Sequence, residues 1–401
     1  MTFLRPGDEQ ELAEVIATAA ARGETLELVA GGSKRGLGHR VEAAQTLDLS
    51  RFAGIRLYEP EELVLTAGAA TPLAEITEAL DAAHQHLAFE PPDWGRLWGG
   101  NAAPTLGGLI ATNLSGPRRL KDGAARDHHL GFRAVNGLGE VFKSGGRVVK
   151  NVTGYDLSKL MAGSFGTLAA LTEVTVKVLP APEETRTLVL HGLDDQAALA
   201  AMTAALAGPF EVSGAAHLST GTTPEGDRAM TLLRLEGHAP SVAARAEALA
   251  RLLTNHAPCE IADGAASRRY WHFVRDAEAF MGRDEAAIWR VSVPPSAGPA
   301  VVAALAGSTA LTHFYDWGGG LVWLAMPGDG DGGATAIRAA LAESGGHATL
   351  IRGSEALRAS VPVFQPLPPA LAALASRIKA SFDPKGILNP GRMYRERQKA
   401  S

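Results

Sequence analysis

At 401 residues the chain is long enough for two compact domains, and a hydrophobic content of 46% supports substantial cores. A net charge of −5, with acids and bases mixed throughout and no Lys/Arg block interleaved with aromatics, argues against nucleic acid as a partner. The lone cysteine, Cys259, excludes an internal disulfide and a multi-cysteine metal or iron–sulfur site, and reads as buried filler rather than a nucleophile. The N-terminus turns acidic at Asp8-Glu9 without an apolar leader, and no run of about 18 uncharged apolar residues occurs. The expectation is a cytoplasmic protein that reaches the inner face of a membrane only through partners.

Residues 8–22 read as a helix: Asp8 and Glu11 stand at capping-box spacing, Leu12, Val15, Ile16 and Ala19 line one face, and Gly23 supplies the stop. Strands follow at 26–30, 46–49, 55–58 and 63–66, and a helix at 73–83 closes a βαβ-type unit of roughly 90 residues. Residues 89–116 are rich in Gly, Pro and Asn; so long a connection in a compact domain is functional or disordered. Strands resume at 132–136 and 140–143 and end in a strong strand at 170–179, where Pro180 and Pro182 mark a boundary. Beyond 183, Ala-rich helices (196–207, 242–253, 334–342) alternate with strands (188–191, 230–235, 288–293, 320–324). That alternation predicts an α+β domain, an antiparallel sheet with helices on one face. The Gly/Asp-rich loop 327–333 looks flexible. A Pro-rich linker at 362–369 and a helix at 371–381 lead into Phe382-Asp383-Pro384-Lys385-Gly386-Ile387-Leu388-Asn389-Pro390-Gly391.

Two glycine-rich loops carry most of the chemistry. The first, Ala30-Gly31-Gly32-Ser33-Lys34-Arg35-Gly36-Leu37-Gly38, directly follows a strand. Glycines let successive amides converge on an anion without Cβ clash, while Ser33 adds a hydroxyl and Lys34 and Arg35 add charge. The plain alternative is an ordinary tight turn. The residue order is neither that of a P-loop nor a clean G-x-G-x-x-G, which disfavours a nicotinamide-binding domain. The second loop is Pro104-Thr105-Leu106-Gly107-Gly108-Leu109-Ile110-Ala111-Thr112-Asn113-Leu114-Ser115-Gly116. Thr105 can cap a short helix whose first turn holds Gly107 and Gly108, letting bare backbone approach a ligand; tight helix packing is the alternative. Thr112 and Asn113 are compact donors and acceptors.

The pair of loops resembles the vanillyl-alcohol-oxidase-type (PCMH-type) FAD-binding family. The resemblance extends to Asp127 with Gly131 and Val135-Asn136-Gly137-Leu138-Gly139-Glu140, to Lys150-Asn151-Val152-Thr153-Gly154-Tyr155-Asp156-Leu157, to Gly163-Ser164-Phe165-Gly166-Thr167-Leu168, and to the closing 382–391. It implies an α+β fold: a two-lobed FAD-binding domain at 1–180 (lobes of about 1–90 and 91–180), a cap at 183–370 and a return segment at 371–395. Within the family the chain is most similar to FAD-binding subunits of bacterial glycolate oxidase. The implied function is a subunit of a heteromeric 2-hydroxy-acid dehydrogenase, partnered by a related flavin subunit and an iron–sulfur subunit, that oxidises glycolate to glyoxylate. The implied FAD contacts are the amides of 31–36 and 107–108 on the diphosphate. Pro104, Thr105, Thr112, Asn113, Gly116, Asp127, Gly166 and Thr167 would lie along the cofactor, and Asn389 would close over the ring.

Three departures from the family pattern matter. Ser33 stands where covalent members carry His, so the FAD is expected to be non-covalent. Phe165 replaces an acid and Ala169 a glycine. The H-x-G-D-G-N-x-H segment of 2-hydroxy-acid relatives has only His313-Phe314-Tyr315-Asp316-Trp317-Gly318-Gly319-Gly320 as counterpart, so no metal site is expected. For substrate chemistry His313 with Tyr315 is the candidate base and Arg290 the candidate carboxylate clamp; their alternatives are a satisfied structural histidine and a sheet-surface arginine. His84 and His86 are mis-spaced to share a helical face. His128 and His129 line either the cofactor or a loop surface, and Trp94 and Trp98 either a flavin edge or the core. Two rival readings are a self-sufficient dehydrogenase of a lactate- or sugar-acid-like substrate and a cofactor-free scaffold.

Overall fold

The computed structural model describes residues 2–146, 155–224, 226, 228–307 and 309–394; the Lys150-to-Gly154 part of the K-N-V-T-G-Y-D-L run lies outside them. The first helix is Glu9–Arg22, with the Asp8 side chain accepting from the Glu11 amide and Gly23 at φ 65° ending it. It packs on a parallel three-stranded sheet in the order Thr2–Leu4, Gln45–Asp48, Leu26–Val29. Leu12, Ile16, Leu26 and Leu47 are fully buried in this lobe, together with Ile387 and Leu388 from the far end of the chain.

The second lobe is a five-stranded antiparallel sheet: Ile55–Glu59, Val64–Gly68, Ala169–Lys177, His129–Asn136, Val141–Gly145. This corrects the expected division near residue 90. Strand Val64–Gly68 pairs with Ala169–Lys177 across a hundred residues, so the chain between 55 and 68 belongs to the second lobe. Local pattern marks a strand but not a non-local partner.

The cap is an eight-stranded antiparallel sheet in the order Cys259–Asp263, Glu184–His191, Met230–Gly237, Gly214–Leu218, Thr312–Asp316, Leu321–Pro327, Ala286–Ser292, His347–Arg352. Helices Asp195–Ala207, Ala239–Leu253, Gly298–Ala306 and Ala334–Ser344 cover its outer face. Helix Gly264–Arg275 lies on the inner face, where Trp271 joins Trp94, Leu97, Leu109 and Leu114 of the cofactor-domain segment. That interface is also charged. Arg234 makes a bidentate pair with Glu90 (2.9 and 3.0 Å) and Arg118 another with Glu236 (2.6 and 3.0 Å), so strand Met230–Gly237 is clamped to residues 90 and 118. Among the described residues no helix is long and apolar enough to cross a membrane.

Candidate functional site

The two glycine loops meet. A Cβ on Gly31 would lie 2.2 Å from the Ala103 carbonyl oxygen, and one on Gly107 would lie 2.7 Å from the Ala69 Cβ. Those two glycines are demanded by loop-on-loop packing. Gly32 (φ 78°) and Gly108 have room above them: the nearest atoms to a Gly32 Cβ are 3.9 Å away, and Gly108 faces its own Thr105 cap at 3.2 Å. Each pair therefore contributes one glycine to contact and one to an open face.

Both loops line a cleft, open at its mouth, with Leu28, Val29, Leu49, Ala69, Ala70, Ala169 and Leu171 as apolar walls. Ser164, Phe165 and Gly166 close one side, and Asn389 and Arg392 enter from the C-terminal segment. In the first loop only Arg35 among residues 31–36 gives its amide to the chain, to the Gly32 carbonyl at 3.2 Å. Among the described residues the amides of Gly31, Gly32, Ser33, Lys34 and Gly36 have no acceptor, which suits an anion. The second loop differs. Thr105 caps helix Leu106–Thr112 as expected, but the Gly107 amide donates to Ala69 O (2.7 Å) and the Gly108 amide to Thr105 Oγ1 (3.3 Å). The expectation that amides 107–108 hold the diphosphate is corrected: the fold consumes them, and this loop offers the ligand only a bare surface.

Lys34 is buried between the Ser33 hydroxyl (3.3 Å) and the Trp98 ring (5.9 Å to centroid). Burial pushes its ammonium pKa down to about 8, against the raising influence of Asp93 and Asp276. Arg35 leans the other way, in an ion pair with Glu27. Asn389 bridges the lobes: its Oδ1 accepts from the Leu28 amide and its Nδ2 donates to Phe165 O, both 2.8 Å. Phe165 thereby holds φ 56°, a left-handed conformation unusual for an aromatic, and its ring packs edge-on to Phe364.

Eleven of the proposed cofactor residues line the cleft: Gly31, Gly32, Ser33, Lys34, Arg35, Thr105, Gly107, Gly108, Thr112, Gly166 and Asn389. Six do not, and each serves the fold nearby. Gly36 lies under the Trp98 ring, where a Cβ would come within 3.2 Å of the indole. The Pro104 carbonyl accepts from Leu73. Asn113 ends its helix at φ 50° and accepts from the Arg126 amide. Gly116 packs on the Glu90 carbonyl. Asp127 accepts from the Ala124 amide, and the Thr167 hydroxyl donates to Ser164 O. Trp94 and Trp98 are structural, their indole nitrogens donating to Arg275 O and Ile351 O. His128 and His129 are buried, with ring nitrogens on Asp122 O and Ser158 O.

The proposed base cluster is not at the cleft. Side chains alternate along strand Thr312–Asp316, and Phe314 takes the inner face, so His313 and Tyr315 point outward beneath helix Asp195–Ala207. There both engage Asp195, at 2.9 and 2.8 Å. Burial alone would raise the Asp195 pKa; His217, 3.6 Å away, and the hydrogen bonds from His313 and Tyr315 bring it well below the carboxylate range. Arg290 does face inward. Its guanidinium stacks on Trp317 (4.8 Å), where Arg119 also stacks (4.4 Å), and its buried Nε has no partner. Asp316, buried beside them, has its carboxyl pushed up to about 7 by desolvation. Sequence reasoning missed Arg119 and Arg392; for Arg392 the signal was a base directly after the Asn389-Pro390-Gly391 turn.

The cleft thus combines free amides, bases at one end and apolar walls along its length, which fits an extended diphosphate ligand ending in rings. Residues 2–145 match the family described as FAD binding domain, and residues 365–393 the family described as FAD linked oxidases, C-terminal domain. Glycolate oxidase subunit GlcE of Escherichia coli (strain K12) is 35% identical over 387 residues, covering 96% of this chain and 97% of that one. Glycolate oxidase subunit GlcD of Bacillus subtilis is 42% identical over 101 residues, 25% of this chain and 21% of that one. Among solved structures, 4-ethylphenol oxidase from Gulosibacter chungangensis superposes with a TM-score of 0.71 at 15% identity, covering 99% of this chain and 90% of that one, a likeness of fold alone.

Proposed function

This chain belongs to the FAD-linked oxidases as an FAD-dependent oxidoreductase, and from that membership we propose that it is the FAD-binding subunit of a heteromeric dehydrogenase that converts glycolate to glyoxylate. The electrons leave through an iron–sulfur partner, and a related flavin subunit shares the assembly. What supports the reading most is the end-to-end match with a glycolate oxidase subunit.

Bound FAD would supply the electron-accepting chemistry of this subunit. The unpartnered amides of Gly31, Gly32, Ser33 and Lys34, residues that line the cleft, would hold its diphosphate, with the Lys34 ammonium and the Ser33 hydroxyl beside them. Charge-assisted bonds of this kind contribute about 1.5–3 kcal/mol each. The bare face at Gly108 and the apolar walls exclude water along the cofactor. Ser33, lacking an imidazole, leaves the attachment non-covalent. We assign turnover of the acid to the related flavin partner, because His313 and Tyr315 are committed to Asp195 on the far side of the cap sheet.

A second reading, self-sufficient oxidation of a lactate- or sugar-acid-like substrate, is kept by one observation: Arg290 and Arg119 share the Trp317 ring on the inner face and offer a carboxylate two cations. The test is to purify the chain alone and with its partners and follow the flavin visible band. A yellow lone chain that glycolate leaves oxidised, with bleaching once the partners are present, is the expected result. Bleaching of the lone chain by a 2-hydroxy acid selects the second reading, and a complex indifferent to glycolate sinks the first.

A further inference from the structure

We propose that Arg392, carried into the cleft by the C-terminal segment, is the counter-charge of the cofactor diphosphate; this rests on the reading that FAD occupies the cleft. Arg392 is 6% exposed and lines the cleft. Its Nη2 donates to the Lys34 carbonyl at 2.6 Å, which fixes the guanidinium against the loop whose amides are free. Its Nε is buried with no acceptor. Among the described residues no carboxylate lies within ion-pair distance of it.

The surroundings are unbalanced. Lys34, Arg35 and Arg358 stand near Arg392, and Glu27, the acid that faces this group, is already paired with Arg35. Arg358 spends its own donors on the Gly38 carbonyl. Burial, with Arg358 and Arg35 adding to it, pushes the Arg392 pKa down to about 10. A buried cation without a partner is strongly unfavourable, and an arriving anion removes that penalty. The position is also built in. The Arg392 carbonyl accepts from the His39 amide at 2.9 Å, and Gly38, at φ 81°, is bare where a Cβ would lie 2.8 Å from that same oxygen. A diphosphate is the ligand chemistry that uses the free amides and this guanidinium together.

The test titrates the full-length, flavin-stripped chain with FAD, with ADP as a diphosphate lacking flavin, and with riboflavin as a flavin lacking phosphate. For Arg392→Met, FAD and ADP are expected to bind about tenfold to a hundredfold more weakly, with riboflavin unchanged. Arg392→Lys should recover part of the loss, and the stripped Arg392→Met protein should melt no lower than wild type. Unchanged FAD affinity overturns the proposal while leaving the cleft reading intact. An equal loss for riboflavin, or a lower melting temperature without ligand, makes Arg392 merely structural and overturns it too. A wild-type chain that binds none of the three removes the cleft reading itself.

Discussion

The two glycine pairs, Gly31-Gly32 and Gly107-Gly108, look alike as sequence and are used differently. In the first, five amides of residues 31–36 remain unclaimed; in the second, both glycine amides are bonded within the fold. Within each pair the first glycine touches another loop and the second faces the cleft. A double glycine is therefore two requirements side by side, one for packing and one for access.

Substitutions can break that comparison. The largest effect is expected for Gly31→Ala and Gly107→Ala, where the new methyl meets Ala103 O or Ala69; each should lower unfolding free energy by about 3 kcal/mol in denaturant melts. Next comes Lys34→Met, expected to weaken FAD binding roughly tenfold at neutral pH. The sign with pH follows from a base whose pKa is about 8 in the free protein. Below that value it is charged and favours the diphosphate; above it a proton must be taken up on binding, so wild-type affinity falls with rising pH. Fluorescence titrations should show the Met variant flat and the two curves converging at high pH. A variant that keeps the wild-type pH slope would place Lys34 outside the contact. Thr105→Ala removes the helix cap and should cost about 1 kcal/mol by the same melts, with FAD affinity reduced less than for Lys34→Met. The smallest stability effect is expected for Gly108→Ala, within about 0.5 kcal/mol because alanine favours the helix, yet FAD binding should weaken measurably as the methyl enters the cleft. A Gly108→Ala protein that binds FAD normally would remove the second loop from the site.

What the sequence made legible was local. The first helix with both its caps, the Thr105 cap and most long strands fall where periodicity put them. Pairing over long distance was not legible: nothing between 55 and 68 says that its partner lies at 169–177. The short strands Gly214–Leu218, Cys259–Asp263 and His347–Arg352 were missed as well. Gly214–Leu218 lies inside a sheet covered on both faces, where alternation loses its contrast, and is buried at every position. The same loss hid the orientation of His313 and Tyr315. With Phe314 as apolar as any outward neighbour, the pattern cannot say which parity faces the cofactor domain. The motif around Gly137 and Gly139 was legible as a family feature but not as a seam. A Cβ on Gly137 would strike Asp383, and one on Gly139 would strike the first helix at Ala13, so these glycines join three distant pieces of chain.

The segment Ile387–Asn389 lies along strand Leu26–Val29, with the Leu26 amide donating to Ile387 O at 2.8 Å and the Asn389 amide to Leu26 O at 2.9 Å. During synthesis, then, the opening sheet waits with one flank bare while more than three hundred residues are translated, and it is sealed only when Ile387–Asn389 arrives. A chain cut before residue 387 would leave strand Leu26–Val29 with no neighbour on that flank.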